Sequence, residues 1–177
     1  MTSNSKTLKE KAARVKWLFA DVDGTLTDGT TGYTSEGELF KRFSQTDGTG
    51  FYLLAKAGIR TGFITGEDSQ IVMRRAEKLK IDKCFLGITD KKQTLEKFAA
   101  EEGISLGEIA YIGDDLIDLE MIISSGLSFA PANARESIKK NADIICNSAG
   151  GNGAFREAAE LLLELRGYSI TGLYLQK

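Results

Sequence analysis

The chain has 177 residues, with 23 Lys plus Arg against 25 Asp plus Glu, a formal charge of −2 and no histidine. Without an imidazole, a His general base, a Ser-His-Asp triad, a Cys-His pair and a His-ligated zinc are excluded, which leaves carboxylates, Lys, hydroxyls, thiols or a bound metal to carry any chemistry. A hydrophobic fraction of 42% is enough for one core spanning residues 1–177, and 27% charged residues of balanced sign describe neither a disordered tail nor a broadly basic nucleic-acid binder.

In chain order, Met1 to Lys16 is polar, carries several Lys and lacks the apolar centre of a secretory leader. Trp17-Leu18-Phe19-Ala20 is a short apolar run that reads as a strand, ending in acids. From Gly29 to Phe43 two short β-prone arms flank Glu36-Gly37, which predicts a hairpin projecting from the end of that strand. Further strands are predicted at Ile59–Thr65, Cys84–Leu86, Ile109–Ile112, Leu127–Ala130 and Ile144–Cys146. Between them, helical spacing predicts helices at Ser69–Lys80, Lys91–Glu102, Asp115–Ser125 and Gly153–Leu165, the last with Asn152 or Asn147 as its cap. Ser105-Leu106-Gly107-Glu108 has the form of a capping box over a single turn. Arg166 to Lys177 reads as a tail that packs on a neighbouring subunit. Strands alternating with helices predict a three-layer, Rossmann-like α/β fold around a parallel sheet.

Only two cysteines occur, Cys84 and Cys146, each in a short apolar stretch and read as buried thiols. No apolar run approaches the ~20 residues that span a bilayer. A cytoplasmic protein with no membrane or nucleic-acid partner is the expectation.

The chemistry concentrates where strands end. Ligands of open α/β sheets bind at the carboxyl ends of the strands. Here those ends carry Asp21-Val22-Asp23-Gly24-Thr25 and Gly113-Asp114-Asp115. Carboxylates that converge at one edge repel each other unless a hard cation such as Mg²⁺ binds through their oxygens, and Mg²⁺ keeps positions open for phosphate oxygens. Thr65-Gly66 offers a hydroxyl and backbone N–H groups, and Lys91 a mobile positive charge. These are the parts of phosphoryl transfer through an aspartyl-phosphate. Taken singly, each Asp reads equally as a cap or turn former.

The ordered set resembles the haloacid dehalogenase superfamily of phosphatases: Asp21-Val22-Asp23-Gly24-Thr25-Leu26-Thr27 is similar to its first motif, Thr65 to its second, Lys91 to its third and Gly113-Asp114-Asp115 to its fourth. The resemblance implies that Asp21 is the nucleophile and a Mg²⁺ ligand. It implies that Asp23 is the general acid and then the base, with its backbone carbonyl on the metal. Asp114 would complete the protein ligands, with Asp115 beside them or bridging through water, and Thr65, the Gly66 amide and Lys91 would hold the phosphate.

No cap domain fits, because the gap after the first strand holds only the hairpin and Asp68 to Lys83 holds one helix. The hairpin, Phe43-Ser44-Gln45-Thr46-Asp47-Gly48-Thr49-Gly50, Arg74-Arg75-Ala76-Glu77-Lys78-Leu79 and Gly150-Gly151-Asn152-Gly153-Ala154-Phe155-Arg156-Glu157 resemble the capless branch acting on 3-deoxy-2-ulosonate sugar phosphates. That resemblance implies a homotetramer in which hairpins and a neighbour's residues close the site. Its octulosonate 8-phosphate members typically carry Arg after the Thr-Gly, where this chain has Glu67. Glu67 is similar instead to the branch acting on nine-carbon acids, 2-keto-3-deoxynononate 9-phosphate or an acylneuraminate 9-phosphate, and there Arg75 and Lys78 would meet the sugar acid across a subunit interface. Both read equally as a solvated helix face. Ser148-Ala149 stands where relatives often carry a basic residue. An octulosonate substrate, or a non-catalytic module associated with a cytidylyltransferase, stays open. A receiver domain is disfavoured because Asp23 is placed to hydrolyse an aspartyl-phosphate that a receiver stores.

Overall fold

The computed structural model describes residues 3–176. Its six-stranded parallel sheet comprises β1 (Trp17–Ala20), β4 (Arg60–Ile64), β5 (Lys83–Phe85), β6 (Ile109–Ile112), β7 (Leu127–Ala130) and β8 (Ile144–Ile145). Their spatial order is β5-β4-β1-β6-β7-β8. Between β1 and β4 the chain makes an antiparallel hairpin of β2 (Thr27–Thr34) and β3 (Gly37–Phe43), two residues longer than the predicted arms and turning at Ser35-Glu36.

The continuous apolar runs are explained by burial on both faces of the sheet. In β1, Leu18 and Ala20 pack with Phe63 and Phe129 against α1 (Ser3–Arg14), α2 (Asp47–Lys56), α3 (Gln70–Leu79) and α7 (Ala154–Leu165), through Ala12, Leu53, Val72 and Phe155. Trp17 and Phe19 point the other way, to Leu95 and Phe98 of α4 (Lys91–Glu102), Met121 of α5 (Leu119–Ser124) and Ile138 of α6 (Glu136–Lys139). Phe19, Phe63 and Phe129 are sealed from solvent, and each such burial contributes about 1.5–3 kcal/mol.

Five elements differ from the sequence expectation. Helices α1 and α2 occupy stretches without a clear helical stripe; α2 opens on Asp-Gly-Thr-Gly, and its helicity is secured by burying Phe51, Leu53 and Leu54 rather than by propensity. The predicted helix at 115–125 breaks into a 3₁₀ turn, Leu116–Asp118, followed by α5, because Asp115 and Asp118 turn their side chains back onto the loop's own N–H groups. Helix α7 is entered through Gly153 in the left-handed region, while Asn147 is held by Glu157 instead of capping. The expected tail forms α8 (Ile170–Leu175), whose Leu173 is buried in this chain's own core; Lys177 lies outside the described residues.

Candidate active site

The order of the strands determines where a site can form. From β1 the chain moves to β4 on one side and later to β6 on the other, so the loops leaving these strands diverge and open a crevice. Ala20 is level with Phe63 and Ile112, so the residues that follow are delivered side by side. The crevice is an open cavity of about 310 Å³ whose lining includes Asp21, Asp23, Thr65, Gly66, Glu67, Lys91, Asp114 and Asp115. Arg75 and Lys78 do not line it. In a recess of about 520 Å³ at the opposite edge of the sheet, two of the three lining cations are engaged: Lys16 pairs with Glu108 at 2.7 Å and Arg166 donates to the Val15 carbonyl at 2.6 Å.

At the cavity floor the Lys91 ammonium sits 2.5 Å from Asp21 Oδ1 and 2.7 Å from Asp118 Oδ1. Asp118 was not among the expected site residues. It is fully buried; Tyr111 donates to Oδ1 at 2.6 Å, and the Asp114 and Asp115 N–H groups donate to Oδ2 at 3.0 and 3.2 Å. Four donors use the lone-pair capacity of a carboxylate, so Asp118 orients Lys91 and shapes the loop that carries Asp114. Its signal in the sequence was an acid four residues beyond Asp114, masked by the expectation of a regular helix there.

Electrostatics show a site short of positive charge. Burial pushes the Asp21 carboxyl well above the usual range, and the charges of Asp118 and Asp114 add to this against the pull of Lys91. Asp114 is pushed up to about 6 by burial and by Asp118 and Asp115, although the Thr25 hydroxyl donates to it at 2.9 Å. Burial would lower the Lys91 pKa, but Asp21 and Asp118 more than offset that and hold it above the ordinary value. Oxygens of Asp21, Asp114 and Asp118 lie within 4.8 Å of one another. Carboxylate oxygens gathered this closely, with no soft donor among them, fit a hard divalent cation such as Mg²⁺; because four donors already occupy Asp118, Asp21 and Asp114 are the carboxylates with capacity left to hold it.

Asp23 is half-buried, with Oδ1 held by Lys41 at 2.5 Å and Oδ2 facing the Thr65 hydroxyl at 3.4 Å. The same hydroxyl accepts from the Glu67 N–H at 3.1 Å, so the loop after β4 curls around it. Glu67 is exposed on the cavity rim.

The Gly150-Gly151 loop, unexplained by sequence, braces the loop of the two aspartates. The Gly151 N–H donates to the Thr25 carbonyl at 3.1 Å, and Asn133 accepts from Gly150 at 2.7 Å. A Cβ at Gly150 would lie 1.7 Å from the Gly24 carbonyl oxygen, and one at Gly24 itself, where φ is +97°, would lie 2.3 Å from Asp114 Oδ2. Only glycines allow the three segments to approach this closely.

Arg75 is turned inward. It is 8% exposed, donates to the Ser44 carbonyl at 2.9 Å and stacks over the Phe43 ring at 5.4 Å. Lys78 is exposed on α3, away from the cavity.

Residues 86–157 match the family model of haloacid dehalogenase-like hydrolases. The 3-deoxy-D-manno-octulosonate 8-phosphate phosphatase KdsC of Haemophilus influenzae is 37% identical over 162 residues, covering 92% of this chain and 90% of that protein. Among solved structures, the 3-deoxy-D-manno-octulosonate 8-phosphate phosphatase of Moraxella catarrhalis, in complex with magnesium ion, phosphate ion and KDO, superposes with a TM-score of 0.87 at 39% identity, covering 90% of this chain and 92% of that one. The cobalt-bound enzyme YrbI of Haemophilus influenzae superposes with a TM-score of 0.88 at 35% identity, covering 94% and 99%. The four motifs, the crevice they form and likeness over nine-tenths of the chain agree: the chain belongs to the haloacid dehalogenase-like hydrolases, in the family of the KdsC phosphatases.

Proposed function

We propose that the chain is a Mg²⁺-dependent phosphatase that hydrolyses the phosphate monoester of a 3-deoxy-2-ulosonate sugar through an aspartyl-phosphate on Asp21. The observation that carries this reading is the buried contact of Lys91 with Asp21, with Asp23 two residues on at the rim of the same cavity. Lys91 and Thr65 supply a cation and a hydroxyl for the phosphate oxygens, and the exposed Gly66 adds its N–H. Asp21 attacks phosphorus, and the bond to the sugar oxygen breaks. Asp23 gives that oxygen a proton, then takes one from the water that cleaves the acyl phosphate. Asp21, Asp114 and the Asp23 carbonyl would hold Mg²⁺, with Asp115 beside them. The ion supplies charge neutralisation, so that a carboxylate can approach an anionic phosphate.

The names of the relatives favour the eight-carbon 3-deoxy-D-manno-octulosonate 8-phosphate as substrate. A nine-carbon acid phosphate is the second reading, favoured by Glu67 on the rim, where a carboxylate accepts hydrogen bonds from sugar hydroxyls but repels a sugar carboxylate. We further propose a homotetramer, supported by the exposed Tyr33, Leu39 and Phe40 of the hairpin, and a cytoplasmic setting, in keeping with two free cysteines. A non-catalytic partner of a cytidylyltransferase is disfavoured by the complete set of reactive residues.

Phosphate release from eight- and nine-carbon acid phosphates with Mg²⁺ tests the reading. Turnover lost in Asp21→Asn supports it, and undiminished turnover in that variant, or none with any sugar phosphate, would sink it. A preference for the nine-carbon ester that Glu67→Arg reverses supports the second reading.

A further inference from the structure

Strand β3 contains an irregularity with a chemical result. Gly32 pairs with Phe40 and Tyr33 with Glu38, so Leu39 is an extra residue without a partner across the hairpin. In a regular strand, residues three apart face opposite sides; a bulge between them brings both to one side. Here it aims Glu38 and Lys41 together toward the catalytic loops. Lys41, with only 1% of its side chain exposed, reaches Asp23 at 2.5 Å, Glu38 at 3.0 Å and the Thr31 hydroxyl at 3.1 Å. Glu38 in turn accepts a hydrogen bond from Ser69, the residue that caps α3 just after the Thr65–Asp68 loop.

We propose that Lys41 is a positioning residue for the general acid: the bulged hairpin straps the Asp23 loop to the Thr65 loop through Lys41, Glu38 and Ser69, holding the Asp23 carboxyl at the cavity. This inference rests on the phosphatase reading and the role of Asp23 in it. Tying one oxygen of Asp23 to a buried cation leaves the other, on the Thr65 side, to meet the leaving group. Without Lys41, two carboxylates face each other across the gap it filled, and Asp23 swings away.

The consequence depends on the leaving group. When Asp21 displaces a sugar alkoxide, the electron pair of the broken P–O bond goes to an oxygen that must take the proton from Asp23. When it displaces p-nitrophenolate, the anion leaves without one. The acyl phosphate on Asp21 is the same from either ester, and kcat/KM reports only the steps up to departure of the leaving group, so Lys41→Met should lower kcat/KM on the sugar phosphate by about 10²-fold. On p-nitrophenyl phosphate it should lose less than about a tenth of that factor. Glu38→Gln and Ser69→Ala should show the same selectivity in weaker form, and they carry the test if Lys41→Met does not fold by circular dichroism. An equal loss on both esters, or none on either, overturns the inference and leaves the phosphatase reading intact. A wild type that cleaves neither ester overturns both.

Discussion

Lys91 bridges Asp21 and Asp118 at 2.5 and 2.7 Å, with 1% of the lysine side chain, 7% of Asp21 and none of Asp118 exposed. The ammonium proposed to hold the phosphate is thus also a structural counterion between two acids.

Removing one member of such a buried cluster leaves the others uncompensated. Lys91→Met should destabilise the fold by about 3–5 kcal/mol, seen as a lower urea midpoint, and reduce kcat/KM by about 10²–10³-fold. A variant with an unchanged midpoint would show that the acids are not held together by this lysine.

Metal binding should depend on acidity because its ligands must be ionised. Burial and neighbouring acids push Asp114 up to about 6, so protons compete with Mg²⁺ below that pH. The rise in melting temperature on adding Mg²⁺ should be larger at pH 7.5 than at pH 5.5. It should vanish in Asp114→Asn at both. Equal stabilisation by Mg²⁺ at the two pH values would contradict the placement of the metal.

Asp47 is 2% exposed; Oδ1 accepts from the Arg156 N–H at 2.9 Å and Oδ2 has no hydrogen-bond partner among the described residues. Burial pushes its carboxyl from 3.8 to about 6, against the pull of the Arg156 N–H and of Arg75. The folded protein therefore binds this proton more tightly than the unfolded chain. That contribution to stability is complete below pH 3.8 and is lost as pH rises through about 6. The stability of Asp47→Asn relative to wild type should rise over this interval by roughly 3 kcal/mol, measured by urea unfolding at pH 4 and pH 7. A difference that stays flat with pH would place the Asp47 carboxyl in water.

Gly150→Ala would place a methyl group 1.7 Å from the Gly24 oxygen, and the backbone there cannot give way without moving Asp114. We expect a stability loss of about 1–3 kcal/mol and a weaker Mg²⁺ thermal shift, whereas Gly58→Ala, with nothing within 4 Å of its Cβ position, should leave the Mg²⁺ shift intact despite its φ of +73°. Equal Mg²⁺ shifts in the two variants would remove the bracing role of Gly150.

Hairpin, sheet and the four motif loops are legible from residues 17–25, 29–43, 59–67, 84–91 and 109–115 because their signals are local: an apolar run buried on both faces needs no distant partner to be recognised, and the acids of the first and fourth motifs follow it directly in the chain. Helix α2 and the broken helix at 115–125 are not, since burial of Phe51 and the side chain of Asp118 override the local pattern. Arg75 reads as a cation on a helix face until Phe43 and the Ser44 carbonyl, more than thirty residues away, are seen to hold it inward. What the sequence alone determines is which reactive groups leave which strand, because that order is covalent. Only the tertiary structure decides which of them share charge and which segments touch: Lys91 with Asp118, Lys41 with Asp23, and Gly150 against Gly24 meet through packing of segments that no periodicity connects.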